Sequence, residues 1–155
     1  MEVAQNHPDE GAFREFLIAV LLHNEAVADH LGLQPVDVAA AVLLDMRGPL
    51  SAGAISEELG LPSASTTRLI DRLEKAGYAR RVRGRRDRRT VTVELVEGGL
   101  DDYHAACAST RRHLEVLAAR YGPEQAALLL DMFAHLATAY RSAARELREG
   151  PAPAR

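Results

Sequence analysis

Residues 54–77 read AISEELGLPSASTTRLIDRLEKAG, and the fold is decided there. Ile55 and Leu59, four apart, face inward from a short helix over about 52–59, with Ser51 as its candidate N-cap. Leu69, Ile70 and Leu73 hold a second helix, about 63–76, on the same core. Gly60 turns the chain between them, because a residue without a Cβ adopts positive φ at little cost, and Leu61 anchors the turn. Gly77 stands where the second helix should stop. The spacing is that of a helix-turn-helix. Its second helix turns Ser63, Ser65, Thr67 and Arg68 outward. Small hydroxyl side chains let a helix sink into a major groove and reach bases or phosphates, and Arg68 reaches guanine or phosphate. A plain helical hairpin with a polar surface has the same pattern, so the segment that follows carries the distinction.

That segment predicts a β-hairpin. Ala79 to Arg83 forms one strand, and Val91, Val93 and Leu95 alternate with Thr90, Thr92 and Glu94 in the next. The turn between them is Gly84-Arg85-Arg86-Asp87-Arg88. Solvation alone gives no reason to prefer arginine there. An arginine at such a tip fits a narrow minor groove, whose negative potential attracts it. Arg89 is assigned that role, braced by the Asp87 carboxylate, while Arg85, Arg86 and Arg88 are assigned to phosphates. Arg72 is placed with the same DNA-binding set. From Arg68 to Arg89 ten basic side chains face three acidic ones, a net of +7; the whole chain carries −3, so the remainder carries −10. A positive lobe on an acidic body is the charge pattern of a nucleic-acid binder.

Outward from this centre, Phe13, Phe16, Leu17, Val20, Leu21, Val27, Ala28 and Leu31 recur at helical steps from about Glu10 to Gly32. Gln34-Pro35 opens a helix ending near Met46; it is apolar nearly all round from Val38 to Leu44, which predicts burial on every side. Asp37 suits the positive end of that helix. Beyond the hairpin, Leu100, Tyr103, Cys107, Thr110, Leu114, Leu117 and Tyr121 predict one long helix, broken by Gly122-Pro123. Leu129, Met132, Phe133, Leu136, Tyr140, Ala143 and Leu147 predict another. These stripes are too extensive for one compact helix-turn-helix to cover, and exposed stripes of that size mark an interface; a two-fold homodimer follows as the expectation.

The 155 residues, 47% apolar and 26% charged, suffice for one domain with its own core. The division expected is a disordered tail at 1–9, a single domain at 10–147 and a second tail at 148–155. Within the domain, 34–97 form the winged helix-turn-helix, and 10–33 with 98–147 form dimerisation helices. The fold class is mainly α with a small β-hairpin wing. A lone cysteine, Cys107, excludes an internal disulfide and a cysteine-rich zinc site, and suits a reducing cytosol. The acidic start lacks the basic region of a signal peptide, and the run Phe16 to Leu22 is too short to span a bilayer; a cytoplasmic protein without a membrane partner is expected.

The residues that carry these readings resemble the MarR family of bacterial regulators. The resemblance runs from about Phe13 to Leu147. Its specific pieces are Gly48-Pro49-Leu50, the run Thr67 to Gly77, Asp87-Arg88-Arg89 ahead of the valine strand, and Gly99 at the next helix start. It implies a winged-helix homodimer that usually represses, with its fourth helix in the major groove of pseudo-palindromic duplex DNA and its wing in the minor groove. It also implies dimerisation through the terminal helices and relief of repression by small aromatic or lipophilic acids. The chain departs from the family pattern at Gln34 and Val96, which replace capping threonines. It departs again at Pro62-Ser63, whose reversed order moves the recognition-helix cap to Ser63. The wing is richer in arginine than is usual, and no cysteine stands near the N-terminus.

An effector pocket is expected where the first, second and fifth helices meet, with His23, Leu43, Met46 and Tyr103 as liners. Cys107 lies in an apolar stripe and reads as a buried, inert thiol. His23, His30, His104 and His113 are scattered without metal-ligand spacing, so neither metal nor cofactor is expected. No nucleophile–base pair, phosphate loop or paired carboxylate stands out, and an enzyme is not expected. The rival reading is a helical interaction module whose arginine-rich hairpin binds an acidic protein.

Overall fold

The computed structural model describes residues 8–83 and 91–150. Arg85, Arg86, Asp87, Arg88 and Arg89, assigned above to the wing tip, lie outside the described residues. The chain divides into two compact units, Met1–Cys107 and Ala108–Arg155.

The first unit runs α1 (Pro8–Leu31), α2 (Pro35–Arg47), β1 (Leu50–Ser51), α3 (Ala52–Leu59), α4 (Ser63–Lys75), β2 (Ala79–Arg83), β3 (Val91–Leu95) and α5 (Asp101–Ala106). The two predicted strands pair antiparallel as expected, with Arg81 opposite Val93. The sheet has a third strand, in the order β1-β3-β2, and Leu50 also lies opposite Val93. Two residues are too few to show a period-two pattern, which is why β1 is invisible in the sequence.

One core serves the whole unit. Ile55, Leu69, Ile70, Leu73 and Val93 are fully buried, joined by Ala40, Ala41 and Leu44 from α2, Tyr78 and Ala79 at the start of β2, and Leu100. Burial of this set fixes α4 against α2, α3 and the sheet. Ser51 caps α3 as expected, its hydroxyl accepting the Ala54 N–H at 3.1 Å. Gly60 adopts φ 61° and ψ 39°, the left-handed geometry the turn requires. Gly99 is needed for a different reason. A Cβ there would lie 2.7 Å from the Tyr78 carbonyl oxygen and 2.8 Å from that of Val96, so only glycine lets these strand ends pack.

Three expectations need correction. First, the recognition helix is not capped by Ser63. Ser63 is its first residue, and Pro62 precedes it in extended geometry (φ −60°), its carbonyl accepting the Ser65 and Thr66 N–H groups. Proline already has the φ that this junction needs. Secondly, α2 is not buried all round. Asp37, Ala40, Ala41 and Leu44 face the core, whereas Met46 is exposed. Thirdly, the long helix expected after the hairpin is two. Cys107 has ψ −2° and ends α5, although its N–H still reaches the Tyr103 carbonyl at 2.9 Å. The boundary between the two units falls at this break.

The second unit holds α6 (Ala108–Ala118) and α7 (Pro123–Glu149). Gly122-Pro123 separates them, and the Gln125 side chain accepts the Gly122 N–H at 2.9 Å. No residue of either helix is buried.

Candidate nucleic-acid interface

The outward face of α4 is built from the inside. Leu69, Ile70 and Leu73 fasten one side of the helix to the core, leaving Ser63, Thr67 and Arg68 exposed and Ser65 half-buried. Thr66, between them, is buried, and its hydroxyl donates to the Pro62 carbonyl at 3.2 Å. On the outward face the Thr67 hydroxyl donates to the Ser63 carbonyl at 3.1 Å, and Arg68 Nη2 lies 3.5 Å from Ser65 Oγ. Both contacts are local, exposed and exchangeable for a ligand's acceptors.

Arg72 stands apart from that set. Its guanidinium grips Asp37 on α2 with two parallel bonds, Nε to Oδ2 at 2.8 Å and Nη2 to Oδ1 at 2.5 Å. The Asp37 side chain is wholly buried and that of Arg72 about one-third exposed. Asp37 Oδ2 also accepts the Gln34 N–H at 3.2 Å, so one carboxylate caps α2 and clamps α4. The hydrogen bond to Asp37 holds the Arg72 pKa above the usual arginine value, against the cost of desolvation. The fork matches carboxylate geometry in a way lysine cannot. In the sequence alone, only the helix-dipole role of Asp37 is visible. An acid inside the otherwise apolar run Val36 to Leu44 was the available signal that it would need a buried partner.

Two further arginines of the basic segment are engaged within the fold. Arg80 Nε and Nη2 bond Glu94 Oε1 across the strand pair at 2.9 and 2.7 Å. Arg81 joins β2 to α4 through Asp71, at 2.8 Å, and through Glu74. Burial works against the charge of Arg81, but bonding to Asp71 and the nearby charges outweigh it and hold its pKa high. Among the described residues, this leaves Arg68, Lys75 and Arg83 as the exposed cations of the lobe that lie outside an ion pair.

A second site lies in the same unit. A cavity of about 410 Å³ is lined by α1, α2 and the end of α5. His23, Leu43, Met46 and Tyr103, the four residues singled out from the sequence, all line it. Asn24, Glu25 and Cys107 line it as well. Cys107 is half-buried, not the sealed core thiol expected. The α2 face that misses the core is thereby explained: Val38, Ala39 and Val42 form one wall of the cavity.

Among the described residues, no group of three or more His, Cys, Asp or Glu side chains is placed to hold a metal ion. Among the same residues, no single helix is long and apolar enough to cross a membrane.

Comparison with known proteins adds the family. Residues 31–90 match the model of the MarR family. The chain is 42% identical over 81 residues to the uncharacterized HTH-type transcriptional regulator YcgE of Bacillus subtilis, covering 52% of this chain and 53% of that protein. It is 33% identical over 111 residues to another regulator of that organism, YfiV, covering 68% of this chain and 66% of YfiV. The chain thus spans between half and two thirds of the length of these relatives. The crystal structure of transcriptional regulator Tm0710 from Thermotoga maritima superposes with a TM-score of 0.61 at 25% identity, covering 83% of this chain and 91% of that one. The winged helix-turn-helix core, the matched residues through it and these relatives together establish that the chain belongs to the MarR family of transcriptional regulators.

Proposed function

We propose that the protein is a sequence-specific duplex-DNA-binding regulator, a repressor acting in the cytoplasm as a homodimer on pseudo-palindromic sites. One observation carries the reading. The apolar side of α4 is fully buried while its Ser63–Thr67–Arg68 side is exposed, in a unit whose strands β2 and β3 flank the arginine-rich sequence 84–90. A rigidly seated helix with a small, hydroxylated, cationic outer face suits a major groove. Ser65, Thr67 and Arg68 read or position that groove. Arg89, oriented by Asp87, enters the minor groove, and Arg85, Arg86 and Arg88 hold phosphates. Arg72 contributes by fixing the angle of α4, its guanidinium being engaged with Asp37.

Self-association is supported by apolar side chains that remain about half exposed: Phe16 on α1, and Leu117, Met132 and Phe133 on α6 and α7. Amphipathic helices such as α6 and α7, with no residue buried, need a partner for their apolar faces. An effector in the α1–α2–α5 cavity relieves binding by favouring one of two spacings of the reading heads, which requires different affinity for the two.

Selection of bound fragments from random duplex DNA, followed by mobility shift at fixed salt, tests the reading. The expected result is a two-fold-symmetric site. Arg68→Ala and Arg89→Ala should each weaken binding by about 1–3 kcal/mol. Log affinity should fall by about 0.9 per phosphate contact for each log unit of salt. A monomer that retains no duplex at low salt would instead favour the protein-interaction module.

A further inference from the structure

The cavity between α1, α2 and α5 has a charge character of its own, and it points away from the acids that the family resemblance implies. Resting on the effector reading above, we infer that its ligand is a lipophilic amine: an apolar ring or chain of roughly ten to twenty heavy atoms carrying one positive charge. The size follows from the volume, about 410 Å³, which lies within the range of small-molecule sites. The apolar requirement follows from the walls, where Leu21, Val27, Val38, Val42, Leu43 and Met46 supply most of the surface. Only a few polar groups remain to select the ligand's head.

Those groups favour a cation. Among the described residues, Glu25 is the one carboxylate lining the cavity, and neither lysine nor arginine lines it. A carboxylate placed here would meet the Glu25 carboxylate, which is exposed, so the repulsion is screened in part by solvent but still opposes a like charge. It would also lack the guanidinium or ammonium that carboxylate sites generally provide. An ammonium reverses both terms. Glu25 supplies the counter-charge, the Tyr103 ring offers a face that attracts cations, and the Met46 thioether packs against apolar groups of varied shape. The Asn24 side-chain carbonyl adds an acceptor for the remaining N–H groups.

A matched series isolates the head group: naphthalene carrying an aminomethyl, a hydroxymethyl or a carboxylate substituent. Each is titrated into the full-length protein by calorimetry, with thermal shift as a second readout. The expected order is amine, then alcohol, then carboxylate, with at least a tenfold gap between the first and the last. Glu25→Gln should remove the preference of amine over alcohol while leaving alcohol binding within about twofold, since its apolar walls are untouched. Ala39→Trp, which fills the cavity from α2, should abolish binding of all three. Carboxylate binding as tightly as amine overturns the assignment of the ligand class but leaves the cavity as an effector site. Amine preference that survives Glu25→Gln overturns the role of Glu25. If none of the three binds, or binding persists in the Ala39→Trp variant, the cavity is not the site and the effector reading itself fails.

Discussion

Helices α4 and α7 carry the same kind of signal in the sequence and meet opposite fates. Both carry apolar residues at helical steps on one face: Leu69, Ile70 and Leu73 in α4, and Met132, Phe133, Leu136 and Tyr140 in α7. In α4 the stripe is sealed: Leu69 is 1% exposed, and Ile70 and Leu73 not at all. In α7 the stripe stays open, with Met132 46% and Phe133 48% exposed and no residue buried. An amphipathic pattern states that a face needs a partner; it does not say whether the partner lies in the same chain. In the proposed function, the helix that completes its packing inside the chain is the one whose orientation must be fixed to read a groove. The helix that does not is the one the same proposal gives to a second copy.

The largest effect should come from the sealed stripe. Leu73→Ala truncates a fully buried side chain and should cost about 2–5 kcal/mol in urea unfolding, whereas Leu130→Ala, 69% exposed and off the α7 stripe, should stay within about 0.5 kcal/mol. Equal losses at the two positions would break the contrast. Next, Arg72→Ala strands the buried Asp37 carboxylate and should cost about 3 kcal/mol, at the low end for buried pairs because Arg72 reaches solvent. Arg72→Lys should recover only part, since the two-bond fork is lost. DNA affinity measured on the surviving folded fraction should fall in parallel. An unchanged unfolding midpoint would show that the clamp does not hold α4.

The open stripe yields a different loss. Phe133→Asp should leave the unfolding of the first unit unaltered yet convert dimer to monomer by sedimentation equilibrium. Operator affinity should then drop by about 100-fold or more, because the second half-site is no longer held close. A dimer that survives this change would assign the α7 face to another partner. The smallest effect belongs to a local contact: Ser51→Ala removes the α3 cap and should cost about 1 kcal/mol by thermal unfolding, with DNA affinity unchanged once the protein is folded.

The helices, the two long strands and the cap at Ser51 were legible because each rests on near neighbours in sequence. Three to five residues suffice to show an apolar period, a hydroxyl before a helix, or a glycine where φ must be positive. The break at Cys107 was missed because Leu100, Tyr103, Cys107 and Thr110 keep a helical period across it. The four cavity residues were proposed from position and chemistry, and the fold brings all four to one space; their ligand is a matter for titration.

What the chain's order of residues determined alone is therefore local: which segments are helix or strand, where they stop, and which faces must be covered. Only the tertiary structure decided which charges are engaged within the fold. Arg72 finds Asp37 thirty-five residues away, and Arg80 and Arg81 turn to Glu94, Glu74 and Asp71. A string of arginines looks uniform in sequence because charge is a property of the residue. Availability depends on burial and on what the fold places within hydrogen-bonding distance, and those are set by contacts between elements far apart along the chain.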